Sequence, residues 1–106
     1  MIKRKVEEFT KGWFIGNFQP AMANSTDFEV ALKYYKRGDQ ESAHHHKIST
    51  EFTVAASGRY RMNDILLGPG DIVEVKPGES VAFECLEDGA TLVVKMPSSI
   101  GDKYLD

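Results

Sequence analysis

The stretch GDQESAHHHKISTEFTVAASG, residues 38–58, contains every histidine of the chain in a single run, His44, His45 and His46. A carboxylate residue, Glu51, follows five residues after the last histidine, and a glycine stands at each end of the stretch. Imidazole and carboxylate groups are common ligands of divalent transition metals in proteins. The stretch therefore raises two alternatives: a metal site, or a polar surface loop that is rich in histidine.

The spacing within this stretch brings two of the imidazoles together. On an extended chain, residues two apart point to the same face, so His44 and His46 converge while His45 points away. If the chain bends after His46 and continues as a strand, Glu51 returns to the same place. Two imidazoles and one carboxylate suit Fe, Mn, Ni, Zn or Cu and leave coordination positions open. On the run of histidines alone, the surface-loop alternative stays open.

The composition is that of one folded domain covering residues 1–106, with 42% hydrophobic and 27% charged residues. The net charge is −3 and the basic and acidic residues are interspersed, so no nucleic-acid partner is expected. Cys85 is the only cysteine, which excludes an intrachain disulfide. No apolar run approaches the length of a membrane span, and the N-terminus lacks a signal-peptide core. The expectation is a cytoplasmic protein without a membrane partner.

Two-residue alternation recurs along the chain and predicts strands. The segments FEVALKYY (28–35), EFTVAAS (51–57), DIVEV (71–75) and SVAFE (80–84) alternate or are strand-like, and ATLVVKM (90–96) is rich in β-formers. Turn signals separate them at intervals of eight to twelve residues, which favours an all-β antiparallel sandwich or barrel. Helix signals are weak: the N-terminal KRKVEEFTKGW is compatible with one short turn. The C-terminal PSSIGDKYLD is predicted to be an irregular tail.

The glycines, histidines and glutamate of residues 38–58 have a recognisable spacing. It is similar to the first motif of the cupin superfamily at every fixed position, which here are Gly38, His44, His46, Glu51 and Gly58. The segment GDIVEVKPGESVAFEC, residues 70–85, resembles the second cupin motif more weakly. The resemblance implies a small double-stranded β-helix, a jelly-roll barrel. Its core would span about residues 28–97, preceded by a strand segment at residues 10–20.

The resemblance also implies a ligand set. His44, His46 and Glu51 would bind a divalent transition metal, either Fe, Mn, Ni or Zn. Val81 stands where the superfamily has a further histidine ligand, and Cys85 stands where it usually has asparagine. Either the metal is kept with a more open coordination sphere, or the pocket has become a metal-free binding site. The first alternative is favoured because the three other ligand types are all present.

Further side chains are candidates for the interior. By alternation, one of Tyr34 and Tyr35 faces inward, where it could contact a ligand. Cys85 is predicted to be a buried apolar residue, and Glu84 to face outward. Lys95 is predicted to lie on the solvated outer face of the last strand, although an inward lysine could bind an anionic ligand.

Three functions are consistent with these residues. The first is a metal-binding cupin that acts as an enzyme of dioxygenase or isomerase type on a small organic substrate. The alternative is a non-catalytic module that binds a carbohydrate or another metabolite, with or without metal. The third is a structural barrel with a vestigial site. No catalytic acid or base is identified. The N-terminal aromatic residues Trp13, Phe14 and Phe18 either cover their own barrel or, as the resemblance implies, contact a second subunit in a homodimer.

Overall fold

The alternating segments form strands throughout the chain. The computed structural model describes all of residues 1–106 and contains ten strands and two short 3₁₀ helices, Val6–Glu8 and Thr10–Gly12. Neither helix is long and apolar enough to cross a membrane. The strands are β1 (Trp13–Ile15), β2 (Glu29–Tyr35), β3 (Gln40–His45), β4 (Thr50–Ala55), β5 (Arg59–Met62), β6 (Ile65–Leu67), β7 (Ile72–Val75), β8 (Val81–Glu87), β9 (Gly89–Met96) and β10 (Tyr104–Leu105).

The ten strands make two five-stranded sheets in which every strand pair is antiparallel. The first sheet has the order β1-β2-β9-β4-β7, and the second has the order β10-β3-β8-β5-β6. Strands that are neighbours along the chain often belong to different sheets, as β2 and β3 do. This topology is the jelly-roll arrangement of a double-stranded β-helix, in which alternate residues of each strand point between the sheets.

Most of the predicted strands are present. The segments 28–35, 51–57, 71–75, 80–84 and 90–96 correspond to β2, β4, β7, β8 and β9, and the predicted N-terminal turn is the first 3₁₀ helix. The expectation of an irregular C-terminal tail was wrong for two of its residues. Tyr104 and Leu105 form β10, which pairs with His45 and His44 of β3.

One end of the interior is closed by an apolar cluster. Phe83 stacks against Tyr60 with ring centroids 5.4 Å apart and against Tyr35 at 4.7 Å. The hydroxyl of Tyr60 donates a hydrogen bond to the Ser57 carbonyl, so this buried polar atom is partnered. Burial raises the pKa of Tyr60 to about 12, which keeps the phenol neutral. The apolar cluster consists of Ala55, Tyr60, Met62, Leu67, Val75, Phe83 and Cys85.

The glycines that close the histidine stretch are turn residues. Gly38 and Gly58 have φ angles of +94° and +81°, a region that other residues rarely adopt. At Gly58 a Cβ atom would also lie 2.6 Å from the carbonyl oxygen of Glu87. These two turns set the ends of β3 and β4, and thereby the positions of the histidines and of Glu51.

Candidate functional site

The three histidines, two at the end of β3 and one just beyond it, point in two directions, as the spacing predicts. His44 and His46 line a cavity between the sheets, and their rings lie edge to face with centroids 5.5 Å apart. His45 points away, stacks on Tyr104 and contacts the carboxylate of Asp106 at 2.7 Å. The chain bends after His46 and resumes as β4, whose second residue, Glu51, lines the same cavity.

The bend after His46 is held by a residue from the C-terminal segment. The carboxylate of Asp102 accepts hydrogen bonds from the backbone N–H groups of Lys47, Ile48 and Ser49, at distances between 2.8 and 3.3 Å. The backbone carbonyl of Asp102 contacts Nδ1 of His46. One residue therefore shapes the loop and orients the imidazole. This role could not be predicted from local sequence patterns, because Asp102 lies 56 positions from His46.

On both inward imidazoles, a backbone carbonyl occupies Nδ1 and leaves Nε2 as the nitrogen that can bind a ligand. Nδ1 of His44 lies 2.9 Å from the Ser42 carbonyl, and Nδ1 of His46 contacts the Asp102 carbonyl. A carbonyl oxygen only accepts, so each Nδ1 carries the proton. The neutral imidazoles then have unprotonated Nε2 atoms. This is how metal-binding histidines are usually oriented by the groups behind them.

Nε2 of His46 is buried and has no hydrogen-bond partner. The nearest charged atom is Oε1 of Glu51, 3.7 Å away. Two atoms that each lie about 2.1 Å from one ion can be no more than about 4.2 Å apart, so this separation allows both to bind the same metal. With His44 included, however, no three histidine, cysteine or acidic side chains are close enough together to form a ready-made metal cluster. His46 and Glu51 are close enough to bind one metal ion together. His44 would have to move closer to become the third ligand.

The pKa values of His46 and Glu51 reflect how close the two side chains are. The Glu51 carboxylate raises the pKa of His46 against the opposing effect of burial. Burial acts to raise the pKa of Glu51, but the His46 imidazole and the nearby charges of Lys95 and His44 outweigh it and lower that pKa. In the absence of another cation, a proton on Nε2 of His46 is favoured by Glu51. A metal ion and this proton would compete for one place.

The cavity around these residues has a volume of about 170 Å³ and is lined by both polar and apolar side chains. Its size lies below the ~300–1,000 Å³ of pockets for drug-sized molecules, which indicates a small ligand. Val81 and Phe83 supply an apolar part of the wall. The charged side chains of the wall, apart from the histidines, are Lys11, Lys33, Lys95, Lys103, Glu41 and Glu51.

The remaining predictions can now be placed. Tyr35 is the inward tyrosine, and its hydroxyl donates a 2.7 Å hydrogen bond to Glu41, while Tyr34 is exposed. Cys85 is buried in the apolar cluster, and Glu84 faces outward. The prediction that Lys95 lies on the outer face was wrong. Its side chain points inward and is 2.8 Å from Glu29, the residue opposite it on β2.

Lys33 and Thr91 also line the cavity, although the sequence analysis did not single them out. Alternation in residues 28–35 places Lys33 on the same face as Tyr35, so the signal was present in the pattern. Trp13 covers the cavity of its own barrel, and its ring lies 5.1 Å from the ammonium groups of both Lys33 and Lys95.

The sequence matches no protein-family profile and no curated protein. Solved structures, in contrast, match the fold. A conserved protein with a double-stranded β-helix domain from Klebsiella pneumoniae is 24% identical with a TM-score of 0.68, over 76% of this chain and 71% of that one. An RmlC-like cupin from Shewanella frigidimarina is 15% identical with a TM-score of 0.64, over 71% and 70% of the two chains. This chain has the cupin fold.

A third similar structure of this cupin fold is the oxalate decarboxylase of Bacillus subtilis, which has Mn(II) centres. It is 20% identical with a TM-score of 0.65, over 76% of this chain but only 24% of the decarboxylase. The similarity is therefore limited to one barrel of the decarboxylase. This chain carries His44, His46 and Glu51 on its inner wall and the apolar Val81 opposite His44, with which it pairs in register.

Proposed function

We propose that this cupin binds a divalent transition metal (Fe, Mn, Ni or Zn) through Nε2 of His44, Nε2 of His46 and the carboxylate of Glu51. The metal site would serve a small organic substrate held in the same cavity. The observation that carries the proposal is the buried, unpartnered Nε2 of His46, 3.7 Å from the Glu51 carboxylate. A lone pair and a carboxylate oxygen both need a positive centre between or beside them, and a metal ion supplies one.

The protein would contribute orientation and enclosure. His44 and His46 are held by backbone carbonyls, and Glu51 is anchored on a strand paired on both sides, with β9 and β7. A bound metal would act as a Lewis acid or as an oxygen-binding centre, the chemistries of isomerase and dioxygenase types. Inward side chains would position the substrate. Tyr35 and Lys95 are already paired with Glu41 and Glu29, so they provide a fixed polar wall.

A metal-free binding module is the second candidate, and two observations favour it. Val81 presents an apolar side chain opposite His44, where the cupin motif has a further histidine. The three ligand residues also do not form a ready-made cluster. In this alternative, protonated His46 pairs with Glu51, and the cavity holds a carbohydrate or another metabolite without chemistry.

Metal analysis separates the two candidates. The protein would be purified without a histidine tag, reconstituted in turn with Fe, Mn, Ni and Zn, and assayed by inductively coupled plasma mass spectrometry. The test variants are the double variant His44→Ala, His46→Ala and the single variant Glu51→Gln. The matched control is His45→Ala, which removes the adjacent imidazole that points out of the cavity.

Near-stoichiometric metal in the wild type and in the His45 variant, lost in the other two, is the expected result. Absence of metal after reconstitution with all four ions would overturn the metal proposal and favour the binding module. Equal metal in the wild type and the double variant would show that the ion binds elsewhere.

We also propose that the protein forms a homodimer. Large apolar side chains are exposed on β6 and β7, namely Ile65, Leu66 and Ile72. Trp13, in contrast, is engaged with its own cavity, so it is not expected to carry the contact. Light scattering coupled to size-exclusion chromatography would give the mass. A monomer at micromolar concentrations would exclude the homodimer.

A further inference from the structure

The cavity is positively charged although the chain as a whole is acidic. Four lysines and two glutamates line it, which leaves an excess of two positive charges with the histidines neutral, whereas the net charge of the chain is −3. Concentrating cations in a concave, partly enclosed site raises the local concentration of anions. The cavity is thus suited to a negatively charged ligand.

Two of the four lysines are paired with carboxylates. Lys95 pairs with Glu29 at 2.8 Å, and Lys103 lies 4.0 Å from Glu41, which also accepts the Tyr35 hydrogen bond. Lys11 and Lys33 have no carboxylate within 4.0 Å, but Lys11 is exposed, whereas Lys33 is half-buried and makes no hydrogen bond. The Trp13 ring lies 5.1 Å from the Lys33 ammonium.

Thr91 is the second unsatisfied group on the same wall. Its side chain is 1% exposed, and its hydroxyl has no hydrogen-bond partner. Only one other buried side-chain polar atom lacks a partner, Nε2 of His46, and both residues line this cavity. Buried polar atoms almost always have a hydrogen-bond partner. Two buried atoms without one at the same cavity therefore indicate that a bound molecule supplies their partner.

Lys33 and Thr91 are also directly opposite each other in the β2–β9 ladder. Residues opposite each other in an antiparallel pair have Cβ atoms about 4.5–5.5 Å apart, on the same face. An unpaired ammonium and an unpaired hydroxyl therefore share one patch of the inner wall. A carboxylate accepts hydrogen bonds from both kinds of donor, and the bond to an ammonium is the stronger one.

We propose that Lys33 and Thr91 bind the carboxylate of a small organic acid, which is the ligand class of this cavity. The cavity volume of about 170 Å³ limits the acid to few atoms, since a cavity of about 150 Å³ is filled by a molecule of the size of benzene. The inference deepens the proposed function by naming the substrate class of the same cavity. It does not require the metal, because neither Lys33 nor Thr91 is a proposed metal ligand.

The test compares acids with their neutral amides of equal size. Acetate and acetamide, lactate and lactamide, and malonate and malonamide would be titrated into the full chain by isothermal calorimetry. Each titration would use the protein as purified and again after chelator treatment. The variants are Lys33→Met, which keeps the stem and removes the charge, and Thr91→Val, which keeps the shape and removes the hydroxyl. Lys36→Met, an exposed lysine outside the cavity, is the matched control.

At least one acid is expected to bind about tenfold or more tightly than its amide, since a hydrogen bond to a charged group contributes that much. Lys33→Met should abolish this preference, Thr91→Val should weaken acid binding severalfold, and Lys36→Met should change nothing. Thermal unfolding of each variant would confirm that it is folded, and Lys33→Gln would replace Lys33→Met if that variant is not.

Three results would overturn the proposal. The first is that no acid binds more tightly than its amide. The second is that the preference survives in the Lys33 variant. The third is that acid binding is unchanged in Thr91→Val. A preference that appears only in metal-loaded protein and survives Lys33→Met would assign the acid to the metal, which supports the proposed function while excluding this subsite. A preference for acids in protein that binds no metal would have the opposite meaning. It would support this subsite and exclude the proposed metal site.

Discussion

The apolar cluster and the cavity occupy the same barrel interior and are built from the same strands. Along β8, Cys85 belongs to the cluster and Phe83 lies where the cluster meets the cavity wall, whereas along β9 the inward residues Thr91 and Lys95 belong to the cavity wall. In the cluster, the buried Tyr60 hydroxyl is partnered. In the cavity wall, two buried polar atoms are not. The comparison shows that alternation assigns the residues of each strand to two faces, and that the chemistry of the internal face then divides the interior between stability and binding.

The difference has an energetic consequence. Burying the apolar side chains of the cluster stabilises the fold, by about 1.5–3 kcal/mol for each large aliphatic or aromatic side chain. Burying an unpartnered polar atom acts in the opposite direction. We therefore expect substitutions in the cluster to lower stability and leave ligand binding intact. Some substitutions in the cavity wall should do the reverse. Four predictions test this contrast, in order of decreasing effect.

The buried ion pair of Lys95 and Glu29 should give the largest effect. Lys95→Met leaves Glu29 as an uncompensated charge that is 5% exposed, which is expected to lower the free energy of unfolding by about 4 kcal/mol. The double variant Lys95→Met, Glu29→Met removes both charges and should recover most of the loss. Urea denaturation would measure both values.

The matched control for this pair is the exposed cross-strand pair of Arg61 and Glu84, whose atoms approach to 3.0 Å. Arg61→Met should cost less than about 1 kcal/mol. If Lys95→Met were no less stable than Arg61→Met, burial would not increase the contribution of an ion pair to the free energy of unfolding.

Leu67 tests the apolar cluster away from the cavity. It is 2% exposed and does not line the cavity, so Leu67→Ala should lower the free energy of unfolding by about 3 kcal/mol. The neighbouring Leu66 is 63% exposed, and Leu66→Ala should change stability by about 0.5 kcal/mol or less. Both variants should bind metal and acids as the wild type does. Loss of binding in folded Leu67→Ala protein would contradict the division of the interior.

Asp102 connects stability with the site and gives a pH dependence. Burial acts to raise the pKa of Asp102, but the backbone N–H groups of Ser49, Lys47 and Ile48 outweigh it, so the pKa is lowered. A carboxyl group whose pKa is lower in the folded state stabilises the fold above its unfolded pKa, near 3.9, and this contribution is lost as the pH falls through the folded value. Asp102→Asn should therefore cost about 2 kcal/mol at neutral pH and progressively less in acid.

Urea denaturation as a function of pH would check this, with the exposed Asp64→Asn as control. The Asp102 variant should also bind metal more weakly, about tenfold, because the loop that orients His46 is loosened. A constant difference from the wild type down to strongly acidic pH would contradict the assigned role of the charge.

Thr91 should give the smallest effect, with the opposite sign. Thr91→Val removes a buried hydroxyl that has no partner, so the ligand-free protein should become more stable by about 1 kcal/mol. Ser49 is the matched control, because its buried hydroxyl donates a 2.7 Å hydrogen bond to the Pro97 carbonyl. Ser49→Ala should therefore lower stability by about 1 kcal/mol. Destabilisation by both substitutions would mean that the Thr91 hydroxyl has a partner in solution, such as ordered water.

Much of the fold could be predicted because the local signals agree. Alternation and turn residues located β2, β4, β7, β8 and β9, and the spacing of His44, His46 and Glu51 correctly predicted one shared cavity. The metal ligation itself stays a prediction. The tail residues Tyr104 and Leu105 were missed because a two-residue strand has no pattern of its own. That strand exists only because β3 offers an edge.

The error over Lys95 has a different cause. Alternation in residues 90–96 separates two faces, but it does not state which face is internal. Because Lys95 stands between apolar residues in the sequence, the face that carries it was predicted to be the outer one. In the structure, the partners Glu29 on β2 and Glu51 on β4 lie on either side of Lys95 and make its burial tolerable. Those partners are distant in sequence, so composition within β9 could not reveal them.

The sequence by itself determined the period of the strands, the positions of the turns and the shared face of His44 and His46. These depend on neighbours a few residues apart, whose geometry follows from the backbone. Only the tertiary structure decided that Asp102 holds His46, that Lys95 is paired, and that Lys33 and Thr91 are not. Whether a polar group is satisfied depends on which groups from other strands lie within hydrogen-bonding distance, and that is a property of the folded barrel alone.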